Sequence, residues 1–333
     1  MKAIVITQGG APEALQIREI EPLPLSPGHA RVTLRAAGLN HRDLWQRIGY
    51  PGPEPMILGS DGAGTVEAVG ADDDRAWVGQ EVVINPSLYW GDREDAPGPN
   101  YQVLGNPTFG TYAESVTVPV ENVAPKPAHL DFVQAAAFPL AGLTAWRALF
   151  GQGALQPGQT VLLPGIGSGV AGFALAFAKI AGARVIVTSS SQDKLEKARA
   201  QGADFGADYT DDRWEQQVRD YAAPAGIDLV IDHSGEKTLP AGVRLVRPGG
   251  RVVFLGVTTG ERLELGLRET YFKQVHLVGT MMGSPREFLA LCRFIELHRY
   301  TPQVNHVYPM EEVAAAHGLM EAGGQYGKIV LTI

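Results

Sequence analysis

Hydrophobic and polar positions divide this chain into two kinds of pattern. Up to about residue 125 the apolar residues come in short runs, at 3–7, 15–20, 29–37, 63–69, 81–84 and 113–118. Pro22, Pro24, Pro27-Gly28, Gly79 and Pro86 punctuate them. Short apolar runs bounded by turn residues read as strands. So many of them, with no helical pattern between, predict an antiparallel or partly open barrel. From Asp131 the period changes. The stretches 135–138 and 143–150 read as helix. Strand-like runs at 160–163, 184–188, 207–209, 228–232 and 251–255 then alternate with helical stretches at 173–180, 194–200, 213–221 and 239–245. A sixth strand is expected at 274–280. This alternation predicts an α/β fold with a doubly wound parallel sheet. Helices near 284–297 and 311–322 follow, and a closing strand at 327–333 that can rejoin the first domain.

The segment that decides the second half is Thr160-Val161-Leu162-Leu163-Pro164-Gly165-Ile166-Gly167-Ser168-Gly169-Val170-Ala171-Gly172, followed by the apolar run 173–180. It reads as a buried strand, a glycine turn, and a helix that begins where the glycines end. Backbone N–H groups exposed at such a helix start bind a diphosphate. Gly167-x-Gly169-x-x-Gly172 fits the dinucleotide fingerprint, although with 40 glycines in 333 residues the triplet alone is weak. The following strand ends in Ser189-Ser190-Ser191, and Ser189 lies 189 − 169 = 20 residues after Gly169, where a ribose-reading residue is expected. Strand, turn, helix and strand form one right-handed unit of a parallel sheet.

Length changes the picture little: 333 residues suggest two domains. A net charge of −8 and a pI near 5.5 give no basic face for nucleic acid. No apolar run approaches the ~18 residues that would cross a bilayer. The first residues enter a strand-like pattern with no cleavage signature, so a cytoplasmic location is expected. A single cysteine, Cys292, excludes an intrachain disulfide and any zinc site of two or more thiolates. Within the apolar helical stretch 287–295 it reads as a small buried hydrophobe.

At this point the chain resembles the medium-chain dehydrogenase/reductase family over nearly its whole length. The resemblance rests on Ala37-Gly38-Leu39-Asn40-His41-Arg42-Asp43, Leu58-Gly59-Ser60-Asp61-Gly62-Ala63-Gly64-Thr65-Val66 and Gly110-Thr111-Tyr112-Ala113-Glu114. It extends through Leu143-Thr144-Ala145, the glycine turn, Pro248-Gly249-Gly250-Arg251 and Gly327-Lys328-Ile329-Val330-Leu331. It implies a Rossmann domain at 125–270 and a β-rich, GroES-like catalytic domain at 1–124 and 271–333, with the active site in the cleft between them. In the zinc branch a cysteine, a histidine and a third cysteine or acidic residue hold the metal. The matching positions here are Asn40, Ser60 and, less directly, Leu140. The excursion 86–110 contains none of the four cysteines of that branch's structural zinc lobe, and reads as a passive surface loop or a functional lobe. His41 has no clustered partners. No metal is expected, and the resemblance shifts to the zinc-lacking branch similar to NADPH:quinone oxidoreductases and enoyl reductases.

Cofactor preference is legible chemically. An acidic residue at the end of the second strand would hold both ribose hydroxyls of NAD and repel a 2′-phosphate. Ser189, Ser190 and Lys194 stand there instead, which favours NADP(H); the serines also suit a helix cap. Gly167, Ser168, Gly169 and Val170 are expected at the diphosphate. In the family's own register the fingerprint can lie one residue earlier, with Ala171 in place of a third glycine. By matching motif, Thr144, Gly256-Val257-Thr258 and Met281-Met282 are implied at the nicotinamide, and His233 over the adenosine ribose. Asn40, Asp43, Trp45 and Tyr50 are the substrate-side candidates. Asn40 can donate its amide to a substrate oxygen, and Trp45 and Tyr50 can wall a flat ring. Asp43, beside Arg42 and Arg47, is a proton relay or a satisfied ion pair, and Trp45 packs or contacts substrate.

The expected activity is metal-independent hydride transfer from NADPH to a quinone or α,β-unsaturated carbonyl. Without a Lewis acid, reduction of a simple ketone lacks its main electrophilic aid, whereas a conjugated acceptor spreads the charge and needs only a hydrogen-bond donor and solvent. A zinc-independent alcohol or aldehyde dehydrogenase and an NADPH-binding protein with little turnover are the alternatives. The family implies a homodimer or homotetramer acting on a small molecule.

Overall fold

The computed structural model describes residues 1–333, which divide into two units, Met1–Leu143 with Gly283–Ile333, and Thr144–Met282. In the first, β1 (Lys2–Ile6) pairs antiparallel with β2 (Gln16–Glu19). β3 (His29–Gly38) alternates as expected, with Ala30, Val32, Leu34 and Ala36 buried and Thr33 and Arg35 outward. It leads into a helix, α1 (His41–Gly49), that the hydrophobic pattern did not predict. The reason is an inverted face: Asp43 and Arg47 are buried while Trp45 and Ile48 are exposed. The helix start was marked by Asn40-x-x-Asp43, because the Asp43 carboxylate accepts the Asn40 backbone N–H at 2.9 Å.

The chain continues through β4 (Met56–Ile57), β5 (Asp61–Val69), β6 (Glu81–Ile84), β7 (Ser87–Leu88), β8 (Gln102–Val103), β9 (Ser115–Pro119) and β10 (Val123–Pro125). The excursion 86–110 is not a passive surface loop: β7 and β8 pair within it, and Leu88, Trp90 and Leu104 are buried. Two helices close the segment, α2 (Phe132–Ala136) and α3 (Pro139–Trp146).

The second unit alternates as predicted. Its elements are β11 (Thr160–Leu163), α4 (Gly169–Ile180), β12 (Arg184–Ser189), α5 (Gln192–Ala200), β13 (Phe205–Asp208) and α6 (Trp214–Ala222). Then come β14 (Ile227–Asp232), α7 (Leu239–Leu245), β15 (Val246–Phe254), α8 (Leu267–Phe272) and β16 (His276–Gly279). All six strands run parallel in the order β13-β12-β11-β14-β15-β16, so the order reverses between β11 and β14. A crevice outside the carboxyl ends at such a reversal is where ligands bind in open α/β sheets. The helix α4 begins at Gly169, inside the glycine turn, because the Ser168 hydroxyl caps it by accepting the Ala171 N–H at 3.2 Å.

The remaining segment returns to the first unit with α9 (Pro285–Leu297), β17 (Val304–Pro309), α10 (Val313–Glu321) and β18 (Lys328–Thr332). β18 pairs antiparallel with β3, giving the sheet order β10-β6-β5-β3-β18-β17 with β9 also on β3. The closing strand therefore rejoins the first domain; β17, parallel to β18, was not expected. The unit boundaries fall after 143 and 282 rather than after 124 and 270. Segment 125–143 packs on the first sheet, where the Leu140 N–H reaches Asp61 Oδ1 at 2.7 Å. Segment 271–282 instead carries β16, the last strand of the parallel sheet. Cys292 is buried on α9, and burial pushes its thiol pKa up. No helix is long and apolar enough to cross a membrane.

Candidate active site

The nucleotide-side candidates gather at the carboxyl edge of the parallel sheet. Gly167, Ser168, Gly169 and Val170 follow β11; Ser189 and Ser190 end and follow β12; His233 follows β14; Gly256 and Thr258 follow β15; Met281 follows β16. The turn needs its glycine at 167: φ is +127° and an added Cβ would stand 3.0 Å from Lys194 Cδ. Lys194 thus lies against the turn that precedes the α4 N-terminus. Gly256 allows a second close approach, since a Cβ there would meet the His233 carbonyl at 2.2 Å. Ser168 Oγ and His233 Nε2 are 3.4 Å apart, and burial holds the His233 imidazole below its ordinary pKa.

Ser191 Oγ accepts the Lys194 N–H at 3.3 Å and caps α5, so capping falls to the third serine. Ser189 is buried and its Oγ accepts the Ser191 N–H, whereas Ser190 is exposed. The Tyr209 hydroxyl donates to Ser190 Oγ at 3.1 Å. Tyr209 is exposed one residue past β13, and nothing local in the sequence marks its hydroxyl for the site. Together Ser190, Lys194 and Tyr209 offer hydroxyls and one cation past the β12 terminus; the neighbouring carboxylate, Asp208, pairs in register with Ser189 and accepts from Thr210 and Gln192. Thr144 is buried on α3, and Met281 and Thr258 are exposed.

The substrate-side candidates belong to the first unit, where Asn40 joins a buried polar cluster. Lys328, the first residue of β18, donates from Nζ to Leu39 O at 2.6 Å, Asn40 Oδ1 at 2.6 Å and Asp61 Oδ2 at 3.0 Å. Beside it, Arg42 Nη1 donates to Ser60 Oγ at 2.7 Å and to Leu104 O at 2.8 Å. Asp43 is fully buried, and its Oδ2 accepts from the Asn40 N–H at 2.9 Å and the Tyr112 hydroxyl at 3.0 Å. Burial pushes the Asp43 carboxyl up to about 6, against Arg42 and these two hydrogen bonds, which hold it down. Burial and the neighbouring Asp43 push the Tyr112 phenol well above its ordinary range.

This donor set does not fit zinc. The oxygens at the two polar metal positions, Asn40 Oδ1 and Ser60 Oγ, already accept from the side-chain cations Lys328 and Arg42. A divalent ion there would face two fixed positive charges and no thiolate or imidazole ligand. The third position, Leu140, offers no side-chain ligand atom, and its backbone N–H is engaged with Asp61.

Asp43 pairs with Arg42 alone, at 4.0 Å; Arg47 points elsewhere, to Glu321 Oε2 at 2.8 Å on α10. Arg47 Nε and Nη1 are buried without partners, as are both ring nitrogens of His317. Trp45 is 48% exposed and lies near His41, with ring centroids 6.5 Å apart. The Tyr50 hydroxyl donates to Glu54 O at 2.5 Å, so it is already engaged. Asn40 and Asp43 are thus brought together, and Trp45 and Tyr50 lie further along and just beyond the same helix. Nothing local in the sequence marks Lys328 for this cluster, because its partners Asp61 and Asn40 lie 267 and 288 positions away.

Comparison with known proteins agrees with both halves. Residues 26–128 match the alcohol dehydrogenase GroES-like domain, and residues 169–296 match the zinc-binding dehydrogenase family. A zinc-type alcohol dehydrogenase-like protein of Leptosphaeria maculans is 35% identical, over 96% of this chain and 94% of its own. A quinone oxidoreductase of Pseudomonas aeruginosa is 31% identical, over 99% of each chain. Among solved structures, an NAD-dependent alcohol dehydrogenase superposes with a TM-score of 0.92 at 38% identity, covering 100% of both chains. A crotonyl-CoA carboxylase/reductase solved with NADP gives 0.91 at 26% identity, over 100% of this chain and 94% of that one.

Proposed function

This chain is an oxidoreductase of the medium-chain, zinc-type alcohol dehydrogenase-like family, quinone oxidoreductase-like, and from that premise we propose that it is an NADPH-dependent, metal-independent reductase of quinones or α,β-unsaturated carbonyls. The observation that carries this reading is the pair of side-chain cations, Lys328 and Arg42, on the two oxygens at the metal positions. Without a Lewis acid, an acceptor that disperses its developing charge through conjugation, as a quinone or enone does, needs only a hydrogen-bond donor at its oxygen. The NADP bound by the crotonyl-CoA carboxylase/reductase supports the cofactor, and the similarity to the Pseudomonas aeruginosa quinone oxidoreductase supports the chemistry.

Gly167, Ser168, Gly169 and Val170 would hold the diphosphate at the α4 N-terminus. Ser189, Ser190 and Lys194, joined by Tyr209, would hold the 2′-phosphate. His233, Gly256, Thr258, Thr144 and Met281 would flank the remainder of the dinucleotide. When bound, the reduced nicotinamide supplies the hydride. In the first unit, Asn40 Nδ2 would donate to the substrate oxygen that gains negative charge. For a quinone, hydride and one proton from solvent yield the hydroquinone; for an enone, hydride enters the β-carbon and a proton the α-carbon. Asp43 is shut away from solvent beneath Tyr112 and serves to fix the α1 start rather than to relay that proton. Trp45 on α1 and Tyr50 just beyond it would supply apolar surface. The protein acts as a homodimer or homotetramer.

Following the 340 nm absorbance of NADPH across quinones, enones and simple aldehydes tests the reading. Rapid oxidation with 1,4-naphthoquinone or an enone is expected, with no increase on adding zinc. The NAD-dependent alcohol dehydrogenase neighbour favours a second reading, in which only simple alcohols or aldehydes turn over. That outcome, or zinc bound stoichiometrically, would overturn the first. Tight NADPH binding with no turnover would leave a binding protein.

A further inference from the structure

Lys328 is an ammonium sealed into the first unit, 4% exposed, and its environment fixes what it can do. An ammonium has three N–H donors and no acceptor. Here it meets three acceptors, Leu39 O, Asn40 Oδ1 and Asp61 Oδ2, at 2.6, 2.6 and 3.0 Å. Its donors are used up, so Lys328 does not itself reach a substrate. The atom of Asn40 that faces an ammonium must be the oxygen, because Nδ2 would set donor against donor. Nδ2 is thereby turned the other way, and there it is buried with no hydrogen-bond partner. A buried donor left unpaired costs stability and persists where something else is to accept from it.

The anchor is itself anchored. Asp61, fully buried, holds Lys328 through Oδ2 while its Oδ1 accepts the Leu140 N–H at 2.7 Å, so neither carboxylate oxygen is free to drift. On the opposite side, the Asn40 backbone is pinned by Asp43 at 2.9 Å. An asparagine at a helix start ordinarily turns its side-chain oxygen to a first-turn N–H. Here that oxygen also accepts from Lys328, on a strand 288 positions away, and the amide has one orientation.

We propose that Lys328 is the positioning residue of the reduction site, holding the Asn40 amide by its oxygen so that Nδ2, buried and unpaired, is kept preorganised as the donor to the oxygen of the substrate. This rests on the reading of Asn40 as the group that meets substrate. A fixed positive charge behind Oδ1 also polarises the amide, making its N–H groups better donors. Preorganised donors act on charge that develops in the transition state, and losing one costs on the order of 100-fold or more in turnover.

A double-mutant cycle on the full chain tests this. Lys328→Gln combined with Asp61→Asn removes both charges together, leaving neither buried alone. With NADPH and 1,4-naphthoquinone, the pair is expected to lower kcat about tenfold or more while the NADPH dissociation constant, read by fluorescence, stays within twofold. In a protein already carrying Asn40→Ala, the same pair should lower kcat less than twofold further. Equal losses in both backgrounds would overturn the proposal, since a merely structural role is additive. Lys328→Arg, which keeps the charge, covers the case in which the neutral pair fails to fold: a guanidinium cannot reproduce the compact geometry, so an unchanged kcat would overturn the proposal.

The outcome is separable from the functional reading. If the native protein does not reduce naphthoquinone, that reading fails, and the proposal is read on the Asn40 side-chain amide in NADP⁺-saturated, asparagine-labelled protein. Addition of 4-hydroxyacetophenone, a carbonyl acceptor that is not reduced under these conditions, should move the Asn40 amide proton downfield in the native protein but not in Lys328→Gln/Asp61→Asn. An amide proton that stays put in the native protein would overturn the proposal.

Discussion

At the scale of single residues, the first unit buries Asp43, Arg47, Asp61 and Lys328, and Asp43 makes stability depend on pH in a definite direction. Burial raises Asp43 to about 6, whereas a carboxyl in the unfolded chain titrates near ~3.9. Between those values the folded protein holds a proton that the unfolded chain has lost, so this contribution is fully present below pH ~4 and fades as pH rises through about 6. Asp43→Asn removes the titration while its amide oxygen can still accept from the Asn40 N–H and Tyr112. The melting temperature of the variant relative to the native protein should therefore rise between pH 5 and pH 7.5. A difference that does not change with pH would contradict the placement of Asp43 in a dry site. His317 works in the opposite sense: burial and Arg47 lower its imidazole to about 3, so its contribution is lost as pH falls below ~6.5. Asn40 was legible in the sequence because it stands where a metal ligand stands in related chains. Lys328 and His317 were not, since a lysine or histidine is ordinarily solvated and nothing local marks either as buried.

Among the elements, the strand-turn-helix-strand unit was the most legible part of the chain, because its cue is local and repeated. Hydrophobic runs gave β11, β12 and β14 to within a residue or two, and spacing alone placed Ser189 at the end of β12. The structure moved the helix start back to Gly169, where a serine cap outweighs the low helical propensity of glycine. Cofactor preference belongs to this element. Placing a carboxylate at the β12 terminus by Ser189→Asp should weaken NADPH relative to NADH about tenfold or more, through repulsion of the 2′-phosphate. Fluorescence titration with both reduced nucleotides checks it, and an unchanged ratio would remove Ser189 from the reading in favour of Ser190, Lys194 and Tyr209. The helix α1 stayed hidden for a complementary reason. Its apolar residues Trp45 and Ile48 face outward and its charged residues inward, so a pattern that assumes a dry apolar face points the wrong way. Inverted faces of this kind are expected where an element serves a site rather than a core.

For the whole molecule, the first fold class is set by pairings that no window of sequence contains. β18 lies between β3 and β17, so residues near the end of the chain complete a sheet begun near its start and deliver Lys328 to Asn40. The unit boundaries moved for a similar reason, since pairing and packing rather than composition decide which sheet a segment joins. The same sheet topology leaves β16 as a terminal strand, paired on one side only, with Leu277 37% exposed. Preceding it on α8, Leu267, Tyr271 and Phe272 are 77%, 63% and 66% exposed. An open strand edge beside exposed apolar side chains is a liability unless something covers it. The other terminal strand, β13, shows no such exposure, with Gly206 and Ala207 buried. Two copies related by a two-fold axis can pair β16 with β16, since a strand edge is complementary to its own antiparallel image. Leu277→Lys combined with Phe272→Ser should then reduce the mass measured by light scattering to that of one chain, 35.6 kDa, while each monomer keeps its NADPH affinity because the turn at 165–172 is untouched. If the mass stays that of the native assembly, the β16 edge is not the seam that joins the copies.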